Sequence, residues 1–278
     1  MRANDALGDE EDEDEGTSYM TTVRRFFDDY GRRIPSEEKS PVHRETRRYF
    51  ICSQPDINYA EIHARIKKHL AVEDTISIAE FEERTKAILA GLREDAETKS
   101  MTQGVHVPFF LPKAAHADYG QALETIYLPA VQHAFKEKLP KYDFANHHQG
   151  ALASKLSIAP GSRHEGLLER MRDAAVVGCY FPCLSEYSVP AALEQLQALP
   201  EKFLLAGGFD TSAAFIGSPD LLLKHEGYPP LLWLTALLGE KEGVGYHFEA
   251  YGYNLTFNRR MHFGDAAEYW CNGLVVLG

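Results

Sequence analysis

The sequence predicts an α+β fold, with N-terminal helices followed by a mixed, mainly antiparallel sheet and packed helices. Three observations predict it: capped amphipathic patterns in the first half, short β-rich segments in the second half, and hairpin-like glycine spacing near the end. Strands and helices do not alternate as regularly as in a βαβ array. With 278 residues, 44% of them hydrophobic, the chain is long enough to bury a full-sized core.

The helices are predicted from capping residues and from apolar side chains at helical spacing. Asn58 with Glu61, and Ser77 with Glu80, form capping boxes ahead of such patterns. Pro129 should kink or restart the third helix. The predicted helices lie near residues 59–70, 78–92, 118–138, 162–172 and 191–199.

Strands are predicted where β-branched and aromatic residues lie between glycines and prolines. They fall at residues 105–111, 176–184, 203–206, 213–216, 246–257 and 274–277. The segment 104–110 is echoed by 178–184, and each precedes a helix containing Ala-Leu-Glu. Two strand-helix pseudo-repeats would explain the match, and so would chance.

The N-terminus is strongly acidic. Residues 1–16 contain eight Asp or Glu against Arg2, a net charge of −7, which leaves −5 of the total −12 for the rest of the chain. We therefore predict a disordered acidic leader over residues 1–18 and a single α+β globular domain over residues 19–278. The leader either solubilises the protein or folds back onto the arginine-rich segment 24–48.

Composition excludes several classes of partner. An acidic protein lacks the basic surface that nucleic acid requires, and the apolar runs are too short to cross a membrane. The acidic start does not resemble an export signal. The cysteines show no disulfide framework, so we expect free thiols and a cytoplasmic location; they are Cys52, Cys179, Cys183 and Cys271.

Motifs for metals and cofactors are missing. His147 and His148 are adjacent, so they point in different directions in either a helix or a strand, and no His-x-x-x-His pair occurs. A phosphate-binding loop and a Gly-x-Ser-x-Gly nucleophile elbow are also absent. We predict neither a metal nor a cofactor.

One candidate anion site comprises Gly161, Ser162, Arg163 and His164 at a predicted helix start. A helix N-terminus offers unpaired N–H groups, and Gly161 would let a ligand approach the backbone. Cations in the first turn oppose the helix dipole unless an anion binds there. The alternative, which we favour, is that both side chains face solvent or a distant carboxylate.

A second candidate is Asp210. The segment Phe209-Asp210-Thr211-Ser212 resembles the Asp-Thr-Gly/Ser loop of aspartic proteases, and the resemblance implies a catalytic carboxylate on a turn between strands. A second Asp-Thr element is absent, so the carboxylate pair would require a dimer. The interpretation we favour is a glycine bulge followed by an Asx-type turn.

The segment 104–112, Gly-Val-His-Val-Pro-Phe-Phe-Leu-Pro, is followed by a loop and an acidic amphipathic helix. It resembles the apolar strand-loop-helix of type VI secretion immunity proteins, and the resemblance implies a toxin-blocking protein. An ordinary core, a mildly acidic surface and the lack of an assembled catalytic site are typical of a binding protein. We therefore expect a soluble cytoplasmic binding or inhibitory protein, of the immunity type if the resemblance holds, that recognises a protein or a small anionic ligand. The alternative is an enzyme, either a hydrolase using Asp210 or one acting on an anionic substrate held by Arg163 and His164.

Overall fold

The computed structural model describes residues 24–72 and 76–278. The predicted leader, residues 1–18, lies outside the described residues. The helices are α1 (Tyr59–His69), α2 (Ile78–Glu94), α3 (Tyr119–Ala122), α4 (Leu128–Lys138), α5 (Glu165–Asp173), α6 (Val189–Gln197) and α7 (Gly208–Gly217), with a 3-10 turn at Lys99–Gln103 and a π turn at Leu123–Tyr127.

The strands are β1 (Val107–Leu111), β2 (Phe144–Asn146), β3 (Ser157–Ile158), β4 (Val176–Ser185), β5 (Phe203–Leu205), β6 (Leu231–Trp233), β7 (Leu237–Leu238), β8 (Val244–Tyr251), β9 (Asn254–Met261) and β10 (Trp270–Leu277). Eight of them form a mixed, mainly antiparallel sheet in the order β1-β4-β10-β6-β8-β9-β2, with β5 also paired to β10. Among the strand pairs of this sheet in the described residues, only β10–β6 and β2–β9 are parallel. The α+β prediction is confirmed.

Local capping accounts for the helix starts that were predicted correctly. The side chains of Asn58 and Ser77 accept hydrogen bonds from the third residue of α1 and α2. The third predicted helix widens into the π turn immediately before Pro129, where the missing N–H interrupts the hydrogen-bond ladder.

The prediction of a strand over residues 213–216 is wrong, because these residues belong to α7. Every residue of α7 is buried, between α1, α4 and strand β1. A helix that is apolar all round shows no amphipathic period, so its pattern is indistinguishable from a short buried strand. The fourth predicted helix, α5 in the structure, also begins later than expected, at Glu165 instead of near Ser162.

Two groups of buried side chains stabilise the fold. The main core extends from Phe26 to Val276 and fills the space between the sheet and helices such as α7. A smaller cluster of Leu231, Trp233 and Trp270 packs separately from it. None of the helices in the described part of the chain is both long and apolar enough to cross a bilayer.

Candidate functional site

Asp210 lies in the first turn of α7, not on a turn between strands. Its two carboxylate oxygens accept hydrogen bonds from the backbone N–H of Gly207, at 2.9 and 3.0 Å. The side chain is fully buried. The resemblance to aspartic proteases and the Asx-turn interpretation both predicted a turn between strands at this carboxylate. Both predictions of local structure are wrong, because the residue belongs to a helix. Asp210 caps that helix.

His164 and Tyr119 meet at the same helix start. The Tyr119 hydroxyl accepts hydrogen bonds from the N–H groups of Gly208 (2.7 Å) and Phe209 (3.3 Å). His164 Nδ1 lies 3.2 Å from the carbonyl oxygen of Leu205, and His164 Nε2 lies 3.4 Å from the Tyr119 hydroxyl. Because a carbonyl can only accept, Nδ1 carries the proton and Nε2 accepts from the hydroxyl. His164 and Asp210, which the sequence placed in separate hypotheses, therefore lie near each other at the start of α7.

The space around this cluster is tight. A Cβ on Gly207 would lie 2.6 Å from His164 Nε2 and 2.9 Å from the Tyr119 hydroxyl, so only glycine fits. Burial raises the pKa of Asp210, and nearby His164 partly offsets the effect. Burial also raises the pKa of Tyr119 far above its ordinary value, and the charge of Asp210 adds to the shift.

The cavity next to this cluster is small. Its volume is about 60 Å³, and Tyr119 and Phe209 form part of its wall. The ring of Phe209 is stacked between those of Tyr119 and Tyr127, at centroid distances of 4.0 and 4.3 Å. A void of this size holds one or two water molecules and no organic substrate. The geometry is that of a packed, hydrogen-bonded helix start.

The four residues of the predicted anion site diverge. Arg163 donates to the carbonyl oxygens of Pro200 (2.7 Å), Leu199 (3.1 Å) and Phe203 (3.2 Å). Its guanidinium therefore ties the start of α5 to the segment before β5, while His164 points to the Asp210 cluster.

Gly161 and Ser162 serve the same turn. Gly161 has φ +77° and its carbonyl accepts from Gln197 Nε2 at 3.4 Å. Ser162 is buried, and its hydroxyl accepts from the N–H of His164 at 3.3 Å. The Ser162 hydroxyl thus contacts the residue immediately before α5.

The adjacent histidines lie elsewhere. His147 is exposed just after β2, and His148 is buried against the edge of Tyr246 at 5.6 Å between ring centroids. Burial lowers the pKa of His148. Across residues 24–72 and 76–278, no three His, Cys, Asp or Glu side chains are grouped as ligands of a metal ion would be.

A larger, mostly apolar cavity lies on the opposite side of the sheet from α7. Its volume is about 410 Å³, within the range of small-molecule sites. Four segments line it: the start of α6, the end of β6 with the following loop, the start of β8, and His262 after β9. The lining side chains include Val189, Leu193, Trp233, Leu237, Leu238 and Val244.

Trp233 is the central side chain of this wall and is 1% exposed. Its ring meets Trp270 and His247 edge to face, at centroid distances of 5.1 and 5.0 Å. Three buried nitrogens of this aromatic group lack a hydrogen-bond partner in the described part of the protein: Nε1 of Trp233, Nε1 of Trp270 and Nδ1 of His247. An unpartnered buried donor is costly, and Trp233 is the one of these three residues that lines the cavity.

The two histidines nearest the cavity are neutral near pH 7. Burial lowers the pKa of both His247 and His262. Nδ1 of His262 accepts a hydrogen bond from the N–H of Gly264 at 3.1 Å, so the ring proton resides on Nε2. Glu249, 3.4 Å from His247 Nε2, partly offsets the effect of burial on that ring. The cavity therefore offers neutral donors.

No protein-family model matches this chain, and no curated protein or solved structure is significantly similar to it. We therefore infer the function from the geometry of the molecule. Sequence reasoning missed the cavity because its walls come from four separate segments. One signal was available: the only two tryptophans of the chain both lie in this aromatic group.

Proposed function

We propose that the chain is a soluble, non-catalytic binding protein that holds a small, largely apolar molecule in the 410 Å³ cavity. The observation that carries the proposal is the buried, unpartnered indole N–H of Trp233 beside an apolar void. A ligand with one hydrogen-bond acceptor would pair this donor, while its body would cover the side chains of Leu193 and Val244.

The cavity opens to solvent, so a ligand can enter it. Leu238 lines the cavity and is 42% exposed, and Phe263, next to His262, is 73% exposed. Lys241 and Glu242 also line it, and they supply polar groups at its rim. An apolar wall with a few polar groups suits a ligand that is apolar at one end and polar at the other.

The burial of Asp210 gives no support to the hydrolase alternative. An aspartic-protease dyad would require two Asp210 carboxylates from two copies of the chain to come within a few ångströms of each other. A fully buried carboxylate held by Gly207 cannot reach a second copy without opening the start of α7. The anionic-substrate alternative would require Arg163 to leave three carbonyl oxygens.

An inhibitory, immunity-type role is a narrower form of this proposal and rests on segment 104–112. Within the fold, Val107–Leu111 is a fully buried strand paired with β4. A protein partner would therefore contact other surfaces, such as the rim of the cavity, where the apolar side chains of Leu238 and Phe263 are exposed. We place this function in the cytoplasm because all four cysteines are free and buried.

The test is a fluorescence titration with N-phenyl-1-naphthylamine, a neutral probe whose emission rises in apolar sites. We expect saturable binding to the full chain and quenching of the tryptophan emission, since Trp233 lines the cavity and Trp270 packs against Trp233. Leu193→Trp should fill the cavity and abolish the saturable signal. Leu168→Trp is the matched control, since Leu168 is another partly buried helical leucine that does not line this cavity. Equal binding by both variants would place the probe elsewhere and overturn the proposal.

The indole N–H can be tested separately with Trp233→Phe. Naphthalene and 1-acetonaphthone, which adds a carbonyl acceptor, are compared as competitors of the probe. Loss of one hydrogen bond should weaken the ketone by about 0.5–1.5 kcal/mol relative to the hydrocarbon. The ratio of the two dissociation constants cancels any general effect on the cavity. An unchanged ratio would show that Trp233 Nε1 does not contact the ligand.

A further inference from the structure

A second cavity, of about 270 Å³, lies between the N-terminal extended segment, the loop after the 3-10 turn, and the end of β4. It is separate from the cavity at Trp233 and shares none of its residues. Its lining includes two arginines and a histidine, and none of the described residues that line it is a carboxylate. Burial lowers the pKa of that histidine, His106, so the positive charge of the cavity comes from the arginines.

Arg48 supplies most of the free positive charge. Its guanidinium carbon lies 3.7 Å from the centroid of the Tyr30 ring, and both residues line the cavity. Its backbone has φ +54° and its N–H donates to Thr46 Oγ1 at 3.0 Å, which fixes the direction of the chain. Within residues 24–72 and 76–278, no carboxylate forms a salt bridge with Arg48.

Arg32 is held rigidly on the inner side of the cavity. It is 6% exposed, and its Nε donates to the carbonyl oxygen of Ser185 at 3.1 Å, while Nη2 donates to the carbonyl oxygen of His43. Glu186 lies 3.5 Å from Nη2 and offsets its charge. Because Glu186 offsets the charge of Arg32 and no described carboxylate offsets that of Arg48, the cavity has a net positive charge.

The rest of the wall is neutral. Cys52 and Cys183 are buried, and burial raises the pKa of both thiols, so neither contributes a negative charge. The Gln54 side chain is bonded to both the N–H and the carbonyl of His106, at 2.9 Å each, which anchors the loop that forms one side. The cavity is therefore shaped by fixed groups instead of by mobile side chains.

We propose that this cavity binds the phosphate or carboxylate group of a small anionic molecule, which Arg48 holds through charge-assisted hydrogen bonds against the ring of Tyr30. A planar guanidinium can pair with either group through two parallel N–H donors. The inference is independent of the proposed function, because it concerns a different cavity and a different chemical class of ligand.

The test is isothermal titration calorimetry of the full chain with inorganic phosphate, near neutral pH and at constant ionic strength. We expect saturable binding to the wild type and a dissociation constant about tenfold or more higher for Arg48→Gln. Arg47→Gln is the matched control, because it removes the same charge from the adjacent residue, which pairs with Glu268 and does not line the cavity. Its affinity should equal that of the wild type.

Absence of saturable binding to the wild type would overturn the proposal, as would equal loss of affinity in both arginine variants. Should Arg48→Gln fail to fold, Arg48→Lys tests the same group, because it keeps the positive charge but removes the planar pair of N–H donors. We expect phosphate affinity to fall in this variant as well. Affinity equal to that of the wild type would show that the Arg48 guanidinium does not hold the ion.

Discussion

The indole ring of Trp233 lies directly against the backbone of Gly245. A Cβ built on Gly245 would approach Cζ3 and Cε3 of this ring to 2.7 and 2.8 Å. Glycine at this position of β8 is what allows the indole to lie flat beside the strand and border the cavity. The shape of the candidate site thus depends on a residue that has no side chain.

Gly245→Ala should displace the Trp233 ring toward the cavity. We expect a loss of about 1–3 kcal/mol in the free energy of unfolding, typical of overpacking, and weaker binding of N-phenyl-1-naphthylamine. Thermal unfolding and the probe titration measure the two effects. A variant as stable as the wild type, with unchanged tryptophan emission, would show that the ring adjusts freely.

Gly91→Ala serves as the control with the opposite sign. Gly91 is an exposed residue within α2, and a Cβ there would have no atom within 4 Å. Replacing a helical glycine by alanine should raise the free energy of unfolding by about 0.5–1 kcal/mol. Replacement of glycine by alanine should therefore destabilise the protein at position 245 and stabilise it at position 91. Denaturant unfolding of the two variants measures both effects.

The parts of the fold that sequence predicted are those fixed by local chemistry. Asn58 and Ser77 cap their helices through residues three positions away, and strand β4 is a continuous apolar run. Helix α7 could not be predicted this way, because burial on every side removes the polar face that reveals a helical period.

In the candidate sites, too, single residues could be predicted from the sequence but their arrangement in space could not. Asp210 and His164 were both singled out from sequence, but their meeting depends on how α7 and α5 pack, which no local pattern records. The cavity at Trp233 is lined by residues as far apart in the sequence as Val189 and His262. The cavity at Arg48 likewise includes Cys183. Concave sites of this kind arise from tertiary structure alone.

Tyr119→Phe should destabilise the protein, because it removes the acceptor for two backbone N–H groups at the start of α7. We expect a loss of about 1–3 kcal/mol in the free energy of unfolding. Tyr127→Phe is the matched control: Tyr127 stacks on the other face of Phe209, and its hydroxyl lies 3.4 Å from His116 Nε2 instead of on the helix start. Equal losses measured by urea unfolding would contradict the assigned role of the Tyr119 hydroxyl.

Deleting residues 1–18 should leave the thermal midpoint nearly unchanged, because the composition of this segment offers almost nothing to bury. Comparing the midpoints of the full and shortened chains at low and high salt checks this expectation. A decrease at low salt that vanishes at high salt would indicate instead that the acidic leader contacts the arginine-rich segment 24–48.

Asp210 should give the protein a measurable pH dependence of stability. Burial raises its pKa in the folded state above the value of about 3.9 expected in the unfolded chain. Between these two values the folded state binds more protons than the unfolded state, so this residue's contribution to stability is full at low pH and is lost as pH rises through the folded pKa. Asp210→Asn, which cannot titrate, should remove this contribution.

Urea unfolding of the wild type and of Asp210→Asn, repeated from acidic to neutral pH, gives the difference in their free energies of unfolding at each pH. We expect the wild type to lose stability relative to the variant as pH rises. At low pH the difference should be small, because the protonated carboxyl and the amide are both neutral and each keeps a carbonyl oxygen for the Gly207 N–H. Neither protein should cleave a denatured protein substrate at acidic pH. A carboxylate whose two oxygens both bind the N–H of Gly207 is not positioned to activate water. If the wild type cleaved such a substrate best at acidic pH, and a folded Asp210→Asn variant did not, the hydrolase would be favoured over the binding protein.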